Sequence, residues 1–461
     1  MTTETLFIVV AVLVLFLALL AIRFHVGLSL MAAGMVGIVL LRGTDAAIST
    51  ATNQPFSTAA DYSLTIIPLF ILMGVFAVHA QLAQAGFDLA SRVLRRLPGG
   101  TALASLSGSG LFAAVTGSSV ATVATMARVS TDAITRAGHG IRLAAGVVCA
   151  GGTLGVLIPP SIVLVLYGVV TEESIGQLLL AGIGPGLLTV LLYAVTITLM
   201  VLASRRRKAR AAAPKERALA TVGGPSTTDG AAPVGEDTPA PRLDLAGVLF
   251  LAVIFMVSIG TIYLGVATAT EAASFGAMSA FVILLVRTRP PRWLRAVKDS
   301  VSEAVGLTAM TFLLMVGAGV FTYFLALSGA STALVDAVLS ADLPPYAVLV
   351  LCLLLLLPLG MFLDGISMIL VAAPLLHPIL VGYGFDGIWL GVLIVKVAEM
   401  ALITPPVGMN AFVYSGSVPE AGLGRIFRGI VPFVIADLVV VAVLILVPDI
   451  VTHIPDISSA R

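Results

Sequence analysis

Charge is scarce in this chain: Asp, Glu, Lys and Arg together make up 11% of its 461 residues, against roughly 25% in soluble globular domains. So little charge cannot cover a water-facing surface, which excludes a soluble enzyme, a nucleic-acid binder and a secreted scaffold. Cysteine is nearly missing as well. Cys149 and Cys352 are the only two, both inside apolar segments, so neither a disulfide framework nor a metal cluster is expected. The 25 basic and 24 acidic residues leave a net charge of +1, which argues neither for nor against an acidic partner. Short alternating segments, the mark of a transmembrane β-barrel, are absent too. What fills the chain is apolar sequence, 59% of it, in runs such as 6–22, 245–264 and 430–447. Each approaches the ~20 residues a helix needs to cross ~30 Å of hydrocarbon. The expectation is an all-α polytopic membrane protein set in a lipid bilayer. Its first run is too long for a cleavable signal core and is expected to remain as the first span.

Basic residues orient such a chain. With spans at 6–22, 26–41, 64–82 and 178–202, the residues Arg92, Arg95, Arg96, Arg128, Arg136 and Arg142 fall on the same side as Arg205, Arg206, Arg207 and Lys208. The positive-inside rule makes that side cytoplasmic. All Lys and Arg except Arg42, Arg461 and the intramembrane Lys396 can be placed there. This requires that 101–137 enter from the cytoplasm and return as a re-entrant hairpin, and that 346–383 do the same from the outer side. Residues 204–243, rich in Ala, Pro, Gly, Thr and charge, read as a disordered cytoplasmic linker. The linker divides the chain into halves at 1–203 and 244–461.

The halves echo each other at a constant offset: Arg96-Leu97-Pro98 against Asp342-Leu343-Pro344, and Ile158-Pro159-Pro160 against Thr404-Pro405-Pro406. An odd number of crossings per half would turn the second copy upside down. Inverted repeats, each with a hairpin and a broken helix (143–168 and 388–416 here), are a recurring secondary-transporter architecture whose site lies where the interruptions meet.

Chemistry concentrates at those interruptions. Pro159-Pro160 removes amide donors and must break the helical ladder, freeing carbonyls that lipid cannot satisfy. A hard cation such as Na⁺ accepts carbonyl and hydroxyl oxygens together. A first Na⁺ site is therefore expected from Gly117, Ser118 and Ser119 with Gly152, Thr153 and Pro159. A second is expected at the matching positions Asp364, Ser367, Thr404, Pro405 and Gly408. Ser118, Ser119, Thr122 and Asn410 are the candidate substrate contacts. Asp364 is the most telling of these, since a carboxylate at a membrane hairpin tip is costly without a partner; a plain helix N-cap is the competing reading. Lys396 and Glu399 share a helical face and read either as a proton or substrate group or, the favoured reading, as an internal ion pair. His79 and His377 read as interfacial. The segments 87–97 and 290–305 are amphipathic and are expected to lie along the membrane surface. The two hairpins and two broken helices, 101–170 and 346–415, are expected to move as one body against the other helices.

The runs Gly117-Ser118-Ser119-Val120-Ala121-Thr122, Gly151-Gly152-Thr153-Leu154-Gly155, Leu157-Ile158-Pro159-Pro160-Ser161 and Ile403-Thr404-Pro405-Pro406-Val407-Gly408-Met409-Asn410, with Trp389 and Glu399, make the chain similar to the large membrane subunit (DctM-like permease) of tripartite ATP-independent periplasmic (TRAP) transporters of the ion-transporter superfamily. The resemblance covers nearly everything outside the linker, which is longer than the family leads one to expect. It implies an elevator-type fold in the bacterial inner membrane, Na⁺ as the co-transported ion, and import of a small carboxylate. It further implies two partners, a periplasmic substrate-binding protein and a small four-helix membrane subunit. No ATPase P-loop is recognisable, so energy comes from an ion gradient or a partner. Other readings are a stand-alone Na⁺/dicarboxylate or citrate carrier of the same fold, an ion channel, and an intramembrane hydrolase. The last lacks a convincing catalytic set.

Overall fold

The computed structural model describes residues 2–22, 24–94, 96–220, 244–341, 343–360 and 362–459. Every regular element among them is a helix. Eight are long and apolar enough to cross a membrane: Thr3–Ala21, Tyr62–His79, Ile175–Arg206, Leu245–Tyr263, Ala269–Arg287, Pro290–Ser328, Gly365–Gly382 and Leu423–Leu446. This is a multi-pass membrane protein, as its shortage of charge requires.

Local chemistry sets many helix starts. The Thr268 side chain accepts from the Glu271 amide while Glu271 reaches back to the Thr268 amide, a reciprocal cap that satisfies two otherwise orphaned donors. Asp244 caps Leu245–Phe255 and pairs with Arg287. The hydrogen bond from Arg287 outweighs burial and, with a lesser one from the Gly247 amide, holds the Asp244 carboxyl below the usual carboxylate range.

Three stretches depart from the reading of the sequence. Between the expected spans at 26–41 and 64–82 lies a helix that hydropathy does not signal, Thr44–Ala60. Its polar side chains are accommodated locally, with Thr50 and Thr52 donating to the Ala46 and Ile48 carbonyls at 2.9 Å. The expected linker at 204–243 begins as helix, because Ile183–Ala220 runs on through 204–220, where Ala, Arg, Lys and Glu are good helix formers. The remainder of that expectation, 221–243, lies outside the described residues. The amphipathic stretch 290–305 is not a separate surface helix either: most of it forms the first turns of Trp293–Ser328, a 36-residue helix about 54 Å long. That exceeds the ~30 Å of hydrocarbon, so one end projects from it.

Packing crosses between the halves. Val26–Arg42 lies against Trp293–Ser328, and Ile66–His79 against Ala269–Arg287. In lipid these contacts gain little from the hydrophobic effect and depend on close van der Waals approach through small residues. Gly27 and Gly317 supply it: a Cβ on Gly317 would collide with the Gly27 carbonyl. Gly146 and Gly429 do the same between Ile141–Thr153 and Leu423–Leu446. One apolar core gathers residues of 102–154 together with Tyr193, Ile197, Tyr414 and Phe433, so the helices Ile183–Ala220 and Leu423–Leu446 pack with the first hairpin and first broken helix.

Candidate functional site

The helix Gly100–Thr116 ends at Gly117, whose left-handed φ of 64° is a conformation glycine adopts without steric cost. The chain reverses through an extended Ser118 and starts again as Ser119–Arg136. Ser118 caps the new helix, its hydroxyl accepting from the Ala121 amide at 3.3 Å. In the second half, Pro345–Leu359 ends at Gly360, and Asp364 caps Gly365–Gly382. The Asp364 carboxylate accepts from the Ser367 amide at 3.3 Å and from the Ser367 hydroxyl. It is thus a helix N-cap in this fold, whatever else it does.

The two tips meet at one carboxylate. Glu399 is 2% exposed on Gly387–Ala401, one arm of the second broken helix. Ser119 of the first tip donates its hydroxyl to Glu399 Oε2. Gly365 of the second tip backs directly on the other oxygen, since a Cβ there would stand 2.6 Å from Glu399 Oε1. Gly117, Ser118, Ser119, Asp364, Gly365 and Glu399 line a cavity of about 30 Å³, room for one or two water-sized species.

Lys396 does not pair with Glu399, which corrects the favoured reading of these two residues. Its ammonium lies 2.5 Å from Asp437 Oδ1, with both side chains essentially buried at 1% and 0% exposure. Tyr193 donates its hydroxyl to Asp437 Oδ2 at 2.7 Å and stands 3.4 Å from the Thr153 hydroxyl. The ammonium also sits 5.5 Å from the centre of the Tyr193 ring, within cation–π range. Lys396 is thereby neutralised by Asp437, and among the described residues Glu399 keeps a hydroxyl but no cationic side chain bonded to it. Asp437 was missed in the sequence, although a lone acid in the 24-residue apolar helix Leu423–Leu446 is the signal that would have found it.

The other candidate residues are distributed around this centre. Gly152 packs on the carbonyl of Ser119, and Thr153 donates its hydroxyl to the Ala150 carbonyl at 2.8 Å. Pro159-Pro160 and Pro405-Pro406 are both cis, and the helix restarts at Ile162 and at Met409. Gly408 has a φ of 57°. Thr404 donates to the Met400 carbonyl at 2.7 Å. Of the candidates only Gly117, Ser118, Ser119 and Asp364 line the cavity; Gly152, Thr153, Pro159, Ser367, Thr404, Pro405, Gly408, Thr122 and Asn410 do not. Thr122 donates to the Ser118 carbonyl at 2.8 Å. Asn410 turns to the first broken helix, where its amide nitrogen lies 3.4 Å from the Cys149 carbonyl. His79 meets Glu303 at 2.9 Å. His377 joins the Tyr167 hydroxyl at 2.8 Å and lies 3.6 Å from Glu173. Burial, and then the neighbouring Asp386, push the Glu173 carboxyl above its ordinary range.

Comparison with known proteins finds relatives over nearly the whole chain. The sequence profile of a family described as "Tripartite ATP-independent periplasmic transporter, DctM component" matches residues 13–450. The C4-dicarboxylate TRAP transporter large permease protein DctM of Pseudomonas aeruginosa is 35% identical over 92% of this chain and 91% of its own length. The ectoine TRAP transporter large permease protein TeaC of Halomonas elongata is 27% identical over 96% of this chain and 97% of its own. Among solved structures, the YdaH transporter of Alcanivorax borkumensis shares the fold with a TM-score of 0.59 at 16% identity, covering 88% of this chain and 89% of that one.

Proposed function

This chain belongs to the family of DctM components of tripartite ATP-independent periplasmic transporters, a family of permeases rather than enzymes, and on that premise we propose that it imports a small carboxylate across the bacterial inner membrane together with Na⁺. A periplasmic substrate-binding protein delivers the solute, and a small four-helix membrane subunit completes the permease. Relatives named for C4-dicarboxylate and ectoine support a small organic solute.

The observation that carries the coupling is Glu399, whose carboxyl group is held between the two tips while Lys396 pairs with Asp437 instead. With Asp364 lining the same cavity, two carboxylates and two serine hydroxyls surround a space in an apolar bundle, an environment that favours a cation. Na⁺ is the cargo ion of this reading. One ion is held by Gly117, Ser118 and Ser119 with Gly152, Thr153 and Pro159. A second is held by Asp364, Ser367, Thr404, Pro405 and Gly408. The Thr153 and Thr404 hydroxyl protons point to helix carbonyls, which leaves oxygen lone pairs for an ion. Ser118 and Ser119, at the first tip, serve as substrate contacts. The test is uptake into proteoliposomes containing the chain, its small subunit and the cognate binding protein. Uptake is expected only with an inward Na⁺ gradient; equal uptake when choline replaces Na⁺ would overturn the coupling.

Access changes by an elevator-type displacement of one body built from inverted repeats. The body is larger than 101–170 with 346–415, because the buried Lys396–Asp437 and Tyr193–Asp437 contacts tie Ile183–Ala220 and Leu423–Leu446 to it. A disulfide between Leu111→Cys and Leu251→Cys, residues that line one cavity between body and frame, in a background with Cys149 and Cys352 changed to Ala, is expected to stop uptake until reduced. A bridge between Ile141–Thr153 and Leu423–Leu446, both within the body, should leave uptake intact. If both bridges are harmless, no such displacement occurs.

A further inference from the structure

Three helix segments of this body converge on a cavity that the transport reading does not use. They are the start of Ile141–Thr153, Leu423–Leu446 at Pro432, and residues 200–204 of Ile183–Ala220. The cavity measures about 370 Å³. Its polar lining is His139, Arg142 and Ser204, and its apolar lining includes Leu143, Met200 and Pro432. The exposed Arg205 and Arg206 follow directly in the chain on one side, and Arg425 and Arg428 stand at the start of the helix on another. Arg142 donates through Nε to the Arg428 carbonyl at 2.9 Å, which anchors its guanidinium beside the cavity. No carboxylate pairs with Arg142, Arg205, Arg206, Arg425 or Arg428 among the described residues. The neighbouring acids Asp132 and Glu420 line a different cavity, with Arg128.

The position matters as much as the charge. Two of the converging helices are membrane spans, and their apolar sequence gives way to arginine here, so the cavity stands at the level where lipid headgroups meet acyl chains. We propose that it binds an anionic phospholipid of the leaflet on the basic side, with the headgroup phosphate at Arg142 and Arg205 and an acyl chain along Leu143, Met200 and Pro432. Basic pockets between membrane helices select such headgroups by charge. A zwitterionic lipid brings no net charge to the arginines, and free phosphate leaves the apolar wall exposed. The inference rests on the bundle spanning a bilayer and is independent of Na⁺ coupling.

Native mass spectrometry of the purified full-length chain with its small subunit, titrated with phosphatidylglycerol, phosphatidylcholine or inorganic phosphate, tests the assignment. Phosphatidylglycerol is expected to stay bound where phosphatidylcholine is stripped, and inorganic phosphate should not displace it. Arg142→Gln with Arg205→Gln is expected to weaken phosphatidylglycerol about fivefold for each arginine removed. Met200→Trp, which fills the apolar wall and leaves the arginines in place, is expected to weaken it as well, and melting in detergent establishes that each variant is folded. Equal retention of the two lipids, displacement by phosphate, or undiminished binding in Met200→Trp would overturn the site. If the arginine variant does not fold, Met200→Trp and the lipid comparison decide.

Discussion

Asp437→Asn is expected to leave little folded protein in the membrane. The substitution keeps the shape of the side chain and removes the carboxylate paired with Lys396, a group with 1% of its side chain exposed. Stranding one member of a buried pair costs about 3–5 kcal/mol, a large part of the roughly 5–15 kcal/mol that holds a domain folded. Lys396→Met combined with Asp437→Leu removes both charges and is expected to recover most of the loss, because apolar replacements of a buried pair are often close to neutral. Thermal melting of the detergent-purified variants by size-exclusion profile checks both. A melting temperature for Asp437→Asn equal to that of the parent, or a double variant worse than either single one, would show that the pair is not what holds these helices together.

The second large effect is on transport. Glu399→Gln retains an oxygen that can accept from Ser119 and removes the charge between the tips. If that charge holds a coupled cation, uptake at low Na⁺ should fall about a hundredfold, equivalent to about 3 kcal/mol of lost binding, while the protein melts normally. Uptake measured across a Na⁺ series separates the possibilities. A shift of the half-maximal Na⁺ concentration marks an ion contact. Parent-like uptake with altered melting would make Glu399 a structural link between tips and broken helix and nothing more.

These two residues also show where a sequence stops being legible. Apolar runs and helix breakers act over a few residues, so the spans, the turns at Gly117 and near Asp364, and the breaks at Pro159-Pro160 and Pro405-Pro406 stand out along the chain. Lys396 and Glu399 are three residues apart and so only about 60° apart around a helix. That spacing permits an ion pair, yet it is also enough to send the two side chains to different neighbours. Which one they choose depends on Asp437 and Ser119, residues remote in the chain and brought near only by packing. Asn410 stands apart from the cavity lining for the same reason. Its place beside the second break is local, but its turn toward Cys149 is decided by the first broken helix. Thr44–Ala60 escaped because its polar side chains find partners one turn back, which a hydropathy count cannot register.

The crossing of helices between halves bears on how the protein comes into being. Val26–Arg42 enters the membrane early in synthesis, while the glycine-lined surface of Trp293–Ser328 that it fits is made last of the pair. At about 5–20 residues per second, the ribosome delivers that partner roughly a quarter of a minute to a minute later. Throughout that interval the Gly27 backbone borders lipid or a chaperone instead of its match. The first half packs many of its own helices together, yet Val26–Arg42 waits for its complement from the second half, and quality control must tolerate that unmatched surface for that long.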